Sequence, residues 1–249
     1  MWFLWFRVSA LAFFGAIAVA AEVCGGLPAL PPAGSNVLDD AADPMSFRLS
    51  VKPGGPAFRI TVRSLLRGQS DAPVHAGDIE VTRCSDGRQV QLLAIMASQP
   101  IHFARTFRAD DVNFDGYLDL SVQQEFGATW ERRLWWIYDP ASGRFLQNEL
   151  TRALGQSGHN RYQFDSTKHV IQTENLMAGC PPLVARYRVE NNHLIKVHEE
   201  IGRQSIDAGP GRPGLPAGIP CTVTVSDLVD ETMRVTQVRR FVEGKPVVN

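Results

Sequence analysis

Phe47-Arg48-Leu49-Ser50-Val51, Lys52-Pro53-Gly54-Gly55-Pro56 and Phe58-Arg59-Ile60-Thr61-Val62 follow one another with one residue to spare. In the first and last of these runs apolar and polar side chains alternate, the period of a strand with one buried face. The middle run holds two Pro and two Gly, which break regular structure and make turns. The whole predicts a β-hairpin. Downstream, Ile79-Glu80-Val81 and Val90-Gln91-Leu92 flank Ser85-Asp86-Gly87 and predict a second hairpin.

Three later segments share one unit, aromatic-x-apolar-acid, then a turn, then basic-apolar. Trp136-Ile137-Tyr138-Asp139 leads to Arg144-Phe145, Tyr162-Gln163-Phe164-Asp165 to His169-Val170, and Tyr187-Arg188-Val189-Glu190 to His193-Leu194. The unit recurs at intervals of 26 and 25 residues, a spacing expected of stacked meanders or blades. A helical turn or two near Leu150 to Leu154 is the one exception. The expected class is all-β, antiparallel meanders or hairpins, propeller-like or sandwich.

The chain opens with Arg7 followed by a 13-residue apolar run, Val8 to Ala20, ending in Ala18-Val19-Ala20. That is the form of a secretory signal peptide over 1–20, cut after Ala20, and the run is shorter than the roughly 20 residues a spanning helix needs. Glu22 and Val23 precede Cys24, which argues against lipid modification of that thiol. The remainder divides into a Pro/Gly/Ala-rich, flexible N-terminal arm over 21–44 and an all-β domain over 45–249. A Gly/Pro-rich loop at 202–220 interrupts the domain. No membrane span is expected in the mature form, and the place of action is periplasmic or secreted.

Without Arg7 the 25 basic residues fall to 24 against 26 acidic. So even a balance, with the cations scattered, excludes nucleic acid as a partner. Four cysteines in an exported chain imply two disulfides with three possible pairings. Cys24–Cys84 and Cys180–Cys221 are preferred because each joins neighbours in sequence order. None sits in a CxxC, so zinc and thiol-redox chemistry lack support.

Chemistry concentrates in Asp111-Val112-Asn113-Phe114-Asp115-Gly116-Tyr117-Leu118-Asp119. In this DxNxDGxxD pattern, oxygens of Asp111, Asn113 and Asp115 turn inward together as the loop coils. Gly116 permits the turn that brings the Tyr117 carbonyl round, and Asp119 supplies a further carboxylate. Hard oxygens in this number suit Ca²⁺. The loop is not an EF-hand, because position 12 is Val122 and a strand follows.

Catalytic patterns are few. Glu125 and Glu131 form a conceivable carboxylate pair for glycoside hydrolysis, but both read as solvated loop residues. His193 and His198 read as ordinary half-exposed strand residues. Trp130, Trp135, Trp136 and Tyr138 form a possible binding platform. Trp136 and Tyr138 point one way along a strand and Trp135 the other, which places at least one of them in the core.

The stretches FRADDVNFDGYLDLSVQQEFG (107–127), WWIYDPASGRFLQNELTRAL (135–154), FDSTKHVIQTE (164–174) and YRVENNHLIKVHEE (187–200) resemble a family of exported bacterial Ca-binding β proteins. That family includes the periplasmic immunity protein, a peptidoglycan-hydrolase inhibitor, of a bacteria-killing type IV secretion system. The likeness runs from Thr106 to Glu200, roughly two fifths of the chain, and NFDGYLDL is its specific part. It implies a Ca²⁺-bound β scaffold that plugs an enzyme cleft with a loop. This chain departs from it in lacking a lipobox and in its four cysteines.

The expected function is therefore periplasmic, immunity-protein-like binding that inhibits a cell-wall (peptidoglycan) hydrolase, without catalysis. Ser142-Gly143-Arg144-Phe145 and Ser157-Gly158-His159-Asn160-Arg161-Tyr162 resemble inhibitor loops of lysozyme-inhibitor families. In the second, Arg161 is placed to meet a catalytic carboxylate beside Tyr162, and Trp130 is a further candidate contact. The alternative is a Ca-stabilised β module that binds glycan or an envelope protein in a structural or adhesive role. An envelope hydrolase is a third reading.

Overall fold

The computed structural model describes residues 24–30, 44–66, 68, 70–101, 103–127, 130–156, 161–176, 180–204, 220–242 and 245–246. The expected signal peptide, the arm over 31–43 and most of the Gly/Pro-rich loop lie outside them. Among the described residues, no helix is long and apolar enough to cross a membrane.

The first sheet is a meander of β1 (Met45–Ser50), β2 (Ala57–Ser64), β3 (Val74–Arg83) and β4 (Gln89–Ala97). Its first two strands pair antiparallel with Leu49 opposite Phe58 and Phe47 opposite Ile60, as the alternation requires. A helical turn, α1 (Phe103–Thr106), leads to the second sheet: β5 (Arg108–Asp110), β6 (Asp119–Phe126), β7 (Glu131–Asp139) and β8 (Arg144–Leu146). After α2 (Glu149–Gln156) the chain builds the third sheet. Its seven strands are β9 (Arg161–Asp165), β10 (Val170–Asn175), β11 (Leu183–Glu190), β12 (His193–Gln204), β13 (Pro220–Val229), β14 (Thr232–Val242) and β15 (Lys245–Pro246), each beside its sequence neighbour. The protein is nearly all β, and one sheet curls into a half-barrel.

The equally spaced hairpins are not one per blade. The first, β7–β8, closes the second sheet, whereas β9–β10 and β11–β12 lie side by side in the third. Their common spacing reflects a common strand-plus-turn length. The Gly/Pro-rich loop also begins later than its composition suggests, because Gly202, Arg203 and Gln204 pair with Val223, Thr222 and Cys221.

Phe47, Leu49, Phe58, Ile60 and Ile95 from the first sheet share one core with Leu120, Val122, Trp136, Tyr138 and Phe145 from the second. A second core joins Trp135 and Ile137 to Leu150 and Leu154 of α2, Tyr162 of β9 and Ile171 of β10. Strand β7 is thus buried on both faces, which is why Leu134-Trp135-Trp136-Ile137-Tyr138 shows no alternation. Helix α2 starts at a reciprocal cap: Asn148 Oδ1 accepts the Thr151 N–H at 3.0 Å and Thr151 Oγ1 accepts the Asn148 N–H at 2.8 Å.

Both preferred disulfides are present, Cys24–Cys84 and Cys180–Cys221. The second abuts a small core of Leu183, Cys221, Val223, Val225 and Phe241. The first ties down the start of the arm. Arg48 N–H donates to the Pro28 carbonyl and Leu30 N–H to the Arg48 carbonyl, so the arm is pinned along β1 through Leu30.

Candidate metal loop and partner surfaces

The loop between β5 and β6 is built by its own acidic side chains. Asp111 Oδ1 accepts the Asp115 N–H at 3.1 Å and its Oδ2 the Gly116 N–H at 2.9 Å. Asp115 Oδ1 accepts the Tyr117 N–H at 2.9 Å, while its Oδ2 takes the Asn113 amide at 2.9 Å. These bonds coil the loop as the sequence pattern requires. Gly116 at φ 84° supplies the left-handed residue at its sharpest point. Phe114, at φ 62°, adopts that conformation without glycine's freedom.

Asp119 is set apart. It is 1 % exposed, with Oδ2 accepting the Val112 N–H at 2.9 Å and Oδ1 the Tyr138 N–H at 2.8 Å. Burial pushes its carboxyl up to about 8 against the pull of those two N–H bonds, and like charge on Asp115 and Asp111 adds to the rise. Burial also raises Asp111, which receives N–H groups but faces Asp115. Of the five expected ligands, Asp111, Asn113, Asp115 and Tyr117 come together in the coil, and Asp119 anchors its base to β7.

The donor set suits a hard cation in kind: carboxylate, amide and main-chain oxygens whose neighbours are of like charge. Among the described residues, however, no three His, Cys, Asp or Glu side chains gather into a group that could hold a metal ion. A cation here would rest on Asp111 and Asp115 with the Asn113 amide and Tyr117 carbonyl oxygens. Each Asp119 oxygen already serves a main-chain N–H and has one lone pair left.

All three sheets grip this loop. From the first, the Val51 carbonyl accepts the Leu118 N–H at 2.7 Å and Lys52 Nζ donates to the Tyr117 hydroxyl at 2.5 Å. From the second comes the Tyr138 N–H on Asp119. From the third, His169 in the β9–β10 turn stacks on Phe114 with centroids 5.3 Å apart.

The candidate partner residues do not form one surface. Arg161 is exposed at the start of β9, where it forms a 4.0 Å ion pair with Glu174. Tyr162, the next residue, points inward. It is 9 % exposed, its ring lies edge-on to Trp135, and its hydroxyl donates to the Leu154 carbonyl. Strand alternation sends neighbours to opposite faces, so Tyr162 is a core residue and not a contact. The preceding 157–160 lie outside the described residues. Trp130 is exposed on another hairpin, its ring across Gly127. The Trp135, Trp136 and Tyr138 platform is wholly buried, Trp135 opposite to the other two.

Glu125 and Glu131 sit on strands, not loops, and face arginines. Glu125 pairs with Arg132 at 2.8 Å, and Glu131 with the fully buried Arg133 at 3.4 Å. Arg133 also donates to Ser121 Oγ and the Thr106 carbonyl. His198 is likewise more than a solvated strand residue. Its Nδ1 lies 2.7 Å from Asp227, and its Nε2 3.8 Å from Glu200, which also binds Arg239. Sequence reading missed this cluster because its members come from β12, β13 and β14, with no local motif. A one-row register places His198 opposite Asp227.

No protein-family model matches the chain, and no curated protein matches it. Among solved structures, one titled "Structure of a Xanthomonas Type IV Secretion System related protein" is similar at 12% identity and a TM-score of 0.48, over 79% of this chain and 100% of that one. A likeness of that size carries no weight for function.

Proposed function

We propose that this is an exported, calcium-stabilised β protein that binds and blocks a cell-wall hydrolase without catalysis of its own. The observation that carries the calcium part is the grip of all three sheets on one loop rich in hard oxygens. A Ca²⁺ on Asp111, Asn113, Asp115 and the Tyr117 carbonyl would neutralise a cluster of like charges and stiffen the junction. Two disulfides favour an extracytoplasmic setting, periplasmic or secreted.

The blocking role draws on the sequence resemblance and on Arg161. Its side chain is 75% exposed and its ion pair with Glu174 is long, at 4.0 Å, so a hydrolase's catalytic carboxylate could take it at little cost. A rigid scaffold under such a group lowers the entropy lost on binding. The test is a muramidase assay in which mature protein is titrated against exported peptidoglycan hydrolases. Inhibition at equimolar protein, weakened by Arg161→Ala, supports the reading. Undiminished hydrolysis at molar excess overturns it and leaves the structural or adhesive module.

A further inference from the structure

On the outer face of the third sheet, Gln163, Gln172 and Arg186 stand opposite one another on β9, β10 and β11. Their neighbours Tyr162, Thr173 and Ala185 turn into the protein and are buried, so this row faces out as a consequence of strand alternation. With Asp165, Ser166 and Lys168 of the β9–β10 turn, the row lines a cleft of about 670 Å³.

The charges in this cleft are unequal. Lys168 is paired to Asp165 at 3.2 Å, and along the same hairpins Arg161 and Arg188 pair with Glu174 and Glu190. Arg186 is different: among the described residues it has no carboxylate within 4.0 Å. Its charge is felt by Asp227, which His198 and Thr236 already occupy. The Arg186 Nε donates to Gln172 Oε1 at 3.0 Å, and Gln172 Nε2 reaches Gln163 Oε1 at 3.5 Å. That chain, which ends with Gln163 Nε2 on Glu174 Oε1 at 3.3 Å, engages the guanidinium at Nε, and among the described residues no acceptor holds its two Nη groups.

We propose that this cleft binds an acidic saccharide, its carboxylate on the Arg186 fork and its hydroxyl or acetamido groups on Gln172 and Gln163. A planar fork takes a carboxylate through two parallel bonds, which an ammonium cannot do. Amides both donate and accept, as sugar hydroxyls do. Three adjacent strands spread these groups over roughly 10 Å, the reach of a sugar ring with its substituents. Val170 adds an apolar patch to the wall. This inference is independent of hydrolase blocking and of calcium.

The experiment is an NMR titration of the mature protein, followed on side-chain amide signals, with N-acetylmuramic acid, N-acetylglucosamine and acetate as separate probes at low salt. N-acetylmuramic acid should bind at least tenfold more tightly than either of the others, which lack the carboxylate or the sugar. Arg186→Gln should weaken it at least tenfold and Gln172→Ala severalfold, with both variants melting like the parent because both side chains lie on the surface. No saturation by N-acetylmuramic acid, or equal affinity for acetate or N-acetylglucosamine, overturns the proposal. So does unchanged affinity in Arg186→Gln.

Discussion

Phe114 and His169 stack face to face, 5.3 Å between centroids and 6° from parallel, and both are held at positive φ, 62° and 52°. One belongs to the acidic loop, the other to a turn of a different sheet. Left-handed backbone costs such residues about 1–2 kcal/mol each, and the stack offsets part of that. Phe114→Ala should therefore lose about 1–3 kcal/mol of unfolding free energy in urea titration. Phe114→Gly, which relaxes the φ, should be no worse than Ala, the reverse of the usual order. A Gly variant clearly less stable than Ala would refute the strain.

Asp119 holds two buried N–H groups, so its removal acts through the backbone. Asp119→Ala should cost roughly 2–5 kcal/mol, since Val112 and Tyr138 N–H would lose their acceptor. Asp119→Asn, which keeps one carbonyl, should cost clearly less. Thermal unfolding in EDTA isolates this effect from any cation, and equal losses would show that the two bonds matter little.

Calcium should raise the melting temperature of the parent protein above its value in EDTA. Asp115→Ala should abolish that difference while leaving the metal-free melting temperature nearly unchanged, because Asp115 is exposed and caps only its own loop. Calorimetry without heat on Ca²⁺ addition would sink the metal assignment.

Asp165 sets an acid dependence. Its Oδ1 accepts from Thr167 Oγ1 at 2.6 Å and from the Thr167 and Lys168 N–H groups at 3.1 Å. Led by the Thr167 hydroxyl, these bonds hold its carboxyl down to about 2. A depressed folded value means that the unfolded chain binds the proton first. The contribution of Asp165 is therefore present above about 4 and fades as pH falls toward 2. Asp165→Asn should flatten the stability profile in that window, as read from urea midpoints at pH 2, 3, 4 and 5.

Opening either disulfide should also be costly. Loops of 60 and 41 residues correspond to about 4 kcal/mol each on chain entropy. Mass spectrometry of unreduced peptides should show Cys24 with Cys84 and Cys180 with Cys221. Any Cys84–Cys180 peptide contradicts the structure.

Hairpins, turns and the coil of the acidic loop were legible because each is local: alternation, Pro/Gly clusters and DxNxDG act within a few residues. What was not legible depends on distant register. Tyr162 looked like a loop-tip aromatic until β9 began one residue before it and turned it inward. Glu125 met Arg132 only across β6 and β7, and His198 met Asp227 only across β12 and β13. The loop's coil was written in its residues, but the Val51 and His169 contacts that lock it were not.

Because Trp135 and Trp136 enter opposite cores from adjacent positions on β7, neither core can dissolve while the other stays intact. Melting one side exposes an indole and strips the strand that the other side packs upon. Denaturation of the β1–β10 portion should therefore be a single cooperative event, with tryptophan emission and far-ultraviolet circular dichroism tracing the same curve.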